Sequence, residues 1–183
     1  MNIKRKLLIL TIFLFSILAI ISLVWFFGIY FQYIPWMKTV TKYNDYGRIT
    51  YEGTYEDSYS YRIEPPVFLA FEGGYLTVSK ISEEIRINEN GDFCDENGNS
   101  LDEIPFFCTF YIWPEYGGDY LIGFMLGYGL DLYHVYVDKD LNICNYFEGE
   151  EGYDEVVKYF DEHRTELEDL MKVAEDLWGF DFS

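Results

Sequence analysis

The sequence predicts an α+β fold, with an N-terminal transmembrane helix, then a mainly antiparallel, curved β-sheet of about 7–9 strands packed by one long C-terminal amphipathic helix. Three observations carry this. An uncharged apolar run opens the chain, alternating apolar and polar residues fill its middle, and a repeat at three and four closes it. The resulting division is a cytoplasmic N-terminus at 1–6, a transmembrane helix at 7–34, a juxtamembrane linker at 35–46 and an acidic extracytoplasmic domain at 47–183, with strands within 47–147 and the helix at 153–178.

Leu7 to Phe31 carries no charge, and its small polar residues are Thr11, Ser16 and Ser22. As a helix it spans roughly 37 Å, against a hydrocarbon core of about 30 Å. Lys4, Arg5 and Lys6 precede it, while Trp25, Phe26, Phe27, Tyr30, Phe31, Tyr33 and Trp36 crowd its far end. Such rings favour the bilayer interface. The three basic residues and the amino terminus outweigh Lys38 and Lys42 beyond the span, which puts the N-terminus inside and the domain outside. A cleaved signal peptide would need a shorter apolar region, about 7–15 residues, and small residues at the cut. The run ends in aromatic rings instead, and the first cysteine is Cys94, so an uncleaved anchor is preferred and a lipid-modified terminus is not expected.

All 32 acidic residues follow the span, with ten of the thirteen basic ones, so residues 38–183 carry 10 minus 32, or −22. That field repels phosphate backbones and excludes nucleic acid as a natural partner. It also holds the domain off an anionic membrane surface. About 140 residues after the tether make one domain with a real core. Cys94, Cys108 and Cys144 lack a CxxC spacing, and buried, inert thiols are expected.

Pro35 closes the helix or its last turn, and 37–46 reads as a polar connection. From Ile49 to Glu64 one parity holds Tyr51, Tyr55, Tyr59 and Tyr61 and the other is polar, which predicts strand with a fold-back at Glu56-Asp57-Ser58. Pro65-Pro66 breaks it. Val67–Glu72 and Tyr75–Lys80 flank Gly73-Gly74 as a predicted hairpin. Ile81 to Ile87 continues as strand to Asn90-Gly91, and Asp92–Glu103 reads as an exposed loop. Ile104–Trp113 is apolar on both parities, the mark of a strand covered on both faces or of one whose outer face meets the helix. Tyr120–Leu130 reads as a strand bent at its glycines, being too short for a second span despite Gly123 and Gly127 in GxxxG spacing. Leu132–Val137 and Leu141–Phe147 predict a hairpin around Asp138-Lys139-Asp140. From Tyr153 to Trp178 the apolar residues recur at three and four opposite an acidic face, predicting an amphipathic helix of about seven turns stopped at Gly179.

Few residues point to chemistry. Asp138, Asp140 and Asn142 match the first oxygen ligands of a calcium loop, but Ile143 stands where glycine is needed and Gly149 where the bidentate Glu should be. Asp95, Asn97 and Asn99 match as partially, and both sets read more simply as turns. His134 and His163 are the only histidines, each expected to be packed with one hydrogen bond, and GxSxG, HExxH, P-loop and GxGxxG motifs do not occur. No cofactor is expected. The row Tyr51, Tyr55, Tyr59 and Tyr61 is the candidate binding surface, for a sugar or a peptide, weighed against a role as plain core.

These features favour a single-pass membrane protein, in contact with the bilayer through 7–34, whose outer domain binds a protein or cell-envelope partner without catalysis. A membrane-tethered immunity or inhibitor protein, acting on a basic toxin by charge complementarity, is the alternative. A hydrolase with a site assembled across the fold is the third and weakest.

Overall fold

The computed structural model describes residues 3–38, 40–45, 48–70, 73–81, 86–87, 93–94, 106–129 and 131–182. The N-terminal helix is α1 (Ile3–Trp25), a single π turn (Phe26–Tyr30) and α2 (Phe31–Met37), unbroken from end to end. Its backbone satisfies itself, and Ser16 and Ser22 donate their hydroxyls to carbonyls four residues back, at 2.9 and 2.8 Å. Two of the three small hydroxyls in the apolar run are thereby taken up by the helix itself. Helix Ile3–Met37 is long and apolar enough to cross a membrane, and none of its most apolar window is buried in the protein. Pro35 lies within the final turn, two residues before the end.

The sheet has seven antiparallel strands in the order β1 (Thr41–Asp45), β2 (Arg48–Tyr55), β3 (Tyr59–Glu64), β4 (Tyr75–Lys80), β7 (Phe106–Pro114), β8 (Tyr120–Tyr128) and β9 (Asp131–Val137). A separate two-stranded ribbon pairs β5 (Arg86–Ile87) with β6 (Phe93–Cys94). The chain ends in α3 (Tyr153–Trp178), closed by Gly179 at φ 73°, whose N–H donates to Glu175 O at 2.8 Å. The α+β class and the antiparallel sheet with one closing helix are as the sequence predicts.

One sheet face is sealed. Ile63, Leu76, Val78, Phe110, Ile112, Phe124 and Leu126 are buried on it, and Val156, Phe160, Leu167, Leu170 and Ala174 of α3 complete the core. The tail past α3 folds back, with Phe182 edge-on to Phe110 and Phe180 between Trp36 and Tyr120.

Several elements differ from the sequence expectation. The polar connection expected at 35–46 contains the last residues of α2 and all of β1, whose Thr41–Asp45 pairs with β2 as an edge strand. Polar side chains suit an edge exposed on both faces, so hydropathy alone hides it. The hairpin expected at Gly73-Gly74 does not form from Val67 onward. Ala70 N–H closes a turn on Val67 O at 2.9 Å, Leu69 sits at φ 64°, and β4 pairs with β3 across a long connection. Two consecutive prolines remove the donors a strand would need there. The return strand expected at Leu141–Phe147 shrinks to one bridge, Val137 to Ile143, because Asn145 uses its side chain to bond Tyr136 N and His134 O. Phe93–Cys94 forms β6 inside the expected 92–103 loop, and the remaining part of that loop from 95 on, like Asn90-Gly91, lies outside the described residues. The predicted turn at Glu56-Asp57 is present, and Gly117-Gly118 turns the chain from β7 into β8, each at positive φ.

Candidate functional site

The C-terminal end of the N-terminal helix is built into the head. Trp25, Ile29 and Tyr33, four residues apart, form a stripe on one helix face, and all three are buried. Two loops of the sheet hold this end of the helix. Trp25 donates its indole N–H to Ala70 O at 2.7 Å and meets Phe68 edge-on, both in the β3–β4 connection. From the β7–β8 connection, Glu115 O accepts from Gln32 at 3.2 Å, and Tyr116 lies so close to Gly28 that a Cβ there would collide with its ring. Gly28 occupies the π turn, and its missing side chain admits the tyrosine. Tyr33 is fully buried, and Gly74 makes room for it: a Cβ at Gly74 would stand 2.5 Å from Tyr33 Oη and 2.8 Å from Pro66 N. The Tyr33 hydroxyl finds no hydrogen-bond partner among the described residues. Trp36 completes the contact by donating to Trp178 O at 3.2 Å.

The sheet face away from α3 divides into two zones. A single register row crosses it as Glu52, Arg62, Thr77, Tyr111, Gly123 and Tyr136. On the β1–β4 side the row and its neighbours are polar. Arg48 reaches the buried Glu64 carboxylate at 2.7 Å, Tyr75 donates to its other oxygen at 2.6 Å, and Arg62 stands 3.7 Å away. Burial, followed by the Glu64 contact, pushes the Tyr75 phenol up to about 12. On the β7–β9 side the face is aromatic. Tyr111 stacks on Trp113 with centroids 5.2 Å apart, Trp113 meets Tyr136 edge-on at 5.4 Å, and Tyr75 and His134 flank Tyr111. Gly123, between Tyr111 and Tyr136 in the row, is buried beside the Trp113 ring: a Cβ there would stand 2.5 Å from Val135 O and 3.3 Å from Trp113. Below the rings Trp113, Glu115, Tyr116, Leu121 and Tyr136 line an open cleft of about 600 Å³.

The tyrosine row occupies the opposite, sealed face. Tyr51, Tyr55, Tyr59 and Tyr61 share one side of the β2–β3 hairpin and are half-buried against the core. Tyr61 meets Trp178 edge-on and fills the space left by Gly53, while Tyr55 donates to Asp176 on α3 at 3.3 Å. Their position is that of core under the end of α3. The carboxylate of Asp138 is engaged by its own turn: Oδ1 accepts from Asp140 N and Asn142 N, both at 2.9 Å, and Oδ2 from Asn142 Nδ2 at 2.8 Å. Those bonds, Asn142's side chain first, hold its carboxyl below the ordinary range. No group of three or more His, Cys, Asp or Glu arranged for a metal occurs among the described residues, and Asp95, Asn97 and Asn99 lie outside them.

His163 is packed as expected, stacked on Phe106 with centroids 3.6 Å apart and 3.0 Å from Tyr128 Oη. His134 is not packed. It shares a parity with Leu132 and Tyr136, as expected, but that parity faces out and His134 is exposed. Cys94 is buried, and burial pushes the Cys108 thiol up. Cys144 departs from the expectation of buried thiols: it is exposed, beside Asn142 O.

Sequence reasoning missed both the aromatic zone and the gripped helix end. Strand β7 is apolar on both parities, which conceals the uncovered side, and Trp25, Ile29 and Tyr33 read as interface aromatics although their four-residue spacing was visible. Among the described residues, the fold and these surfaces define an α+β head joined to one long apolar helix, with an aromatic zone uncovered on the sheet face away from α3. No family model, curated protein or solved structure matches the chain.

Proposed function

We propose that the chain is a single-pass membrane protein, N-terminus cytoplasmic and head extracytoplasmic, that binds a protein or cell-envelope partner on its open aromatic face without catalysis. The observation supporting this reading is the division of one helix into a bare apolar length and a buried outer stripe of Trp25, Ile29 and Tyr33. Cleavage after the apolar run, as in a signal sequence, would strip Trp25 and Ile29 from the head's own core, which favours a retained anchor. The same contact fixes the head at a set height, with Trp113, Tyr111 and Tyr136 presented sideways as flat, low-entropy contact area.

A second reading has its own support. Helix α3 carries nine acidic and three basic residues, and its outward side bears Asp154, Glu155, Asp161, Glu162, Glu168 and Asp169, all exposed. That gathered charge suits an immunity or inhibitor protein steering a basic partner. A photo-crosslinking residue placed in intact cells at Tyr136 or at Lys172 separates the two readings. Adducts from Tyr136 support the aromatic face, and adducts confined to Lys172 support the acidic helix and contradict the leading proposal.

A further inference from the structure

A second cavity, of about 640 Å³, opens where the helix leaves the head, lined by Trp25, Phe26, Tyr30, Ile49, Pro66 and Phe68, with Arg48 and Glu64 at one end. Resting on the membrane reading above, we propose that it holds one phospholipid of the leaflet beside the head, with an acyl chain in the cavity and the phosphate on Arg48.

Depth is the first argument. Leu7 to Trp25 rises roughly 27 Å along the helix, close to the thickness of a hydrocarbon core of about 30 Å. The mouth therefore opens at the boundary between acyl chains and headgroups. The rim is the second. Val67 and Phe68 are 63% and 66% exposed, a pair of apolar groups on the end of the head that the helix enters. The β3–β4 loop holds them there against Trp25, through the Ala70 O bond and the Trp25–Phe68 ring contact. Polarity is the third. The lining is apolar toward Trp25 and Phe68, and its polar groups sit at the strand ends on the head side. There the Glu64 carboxylate, 6% exposed, is bound by Arg48, Tyr75 and the nearby Arg62, while Arg48 itself is 68% exposed. A guanidinium above an apolar slot is the arrangement a phosphate above acyl chains requires.

Full-length protein extracted from membranes in mild detergent and analysed by native mass spectrometry should retain one phospholipid per chain. Arg48→Gln should lower that occupancy about tenfold. Ile49→Trp, which fills the cavity from an exposed position, should lower it equally with the melting temperature kept. A carbonate wash of the membranes run in parallel keeps the two claims apart. Protein that resists the wash yet carries no lipid, or lipid indifferent to both substitutions, overturns the phospholipid site alone. Protein released by the wash overturns the membrane reading and this inference with it. A dimer crosslinked through Phe68 also overturns the proposal, since a second copy would then be the occupant.

Discussion

The two lengths of the N-terminal helix meet opposite surroundings. From Leu7 to Val24 the side chains are exposed almost throughout, whereas Trp25, Ile29 and Tyr33 are buried in the head. Hydropathy falls from one to the other, since Gly28, Gln32 and Pro35 interrupt the second length, and its small and polar groups are matched to the sheet's loops: an indole N–H for Ala70 O, a glycine for the Tyr116 ring, an amide for Glu115 O. The first length is interchangeable greasy surface, and the second is specific core.

Substitutions along the helix sharpen this contrast. Tyr33→Ala opens the largest void and should cost about 3–5 kcal/mol of head stability in detergent, while Leu14→Ala on the bare length should change the melting temperature by almost nothing. Equal effects would erase the distinction. Next, Gly74→Ala drives a methyl toward Tyr33 Oη and the Pro66 backbone and should cost about 1–3 kcal/mol, measured by urea unfolding of the head's circular dichroism. Smaller again, Trp25→Phe keeps an aromatic ring of smaller size and loses the indole bond to Ala70 O, for about 1 kcal/mol from the lost bond. The least effect concerns pH. Tyr75 holds its proton more tightly folded than unfolded, so its contribution is complete below pH 10 and drains as pH rises through about 12. The melting temperature of Tyr75→Phe should therefore fall less steeply above pH 10 than that of the wild type.

What the sequence made legible follows the same division. Helix α3 could be read to its last residue because stripe, acidic face and Gly179 agree. The fold-back at Glu56-Asp57 was readable from turn chemistry, although both residues hold positive φ without being glycine. The apolar run from Val67 misled, because consecutive prolines and the pull of Trp25 outweigh β propensity there. The tyrosine row was legible as one face of a strand pair, but only the position of α3 decides that this face is covered. The open aromatic zone depends on which side of β7 and β8 the helix leaves bare, a tertiary fact without a local signature.

The central claim, that the outer helix belongs to the head, is tested most directly by two truncations of the anchor. A chain beginning at Trp25 keeps the buried stripe and should fold cooperatively, with dispersed amide NMR signals in a mild detergent. A chain beginning at Lys38 lacks Trp25, Ile29 and Tyr33, leaves Gly74 and Tyr116 facing empty space, and should collapse without cooperative unfolding. Indistinguishable unfolding curves for the two would contradict the account.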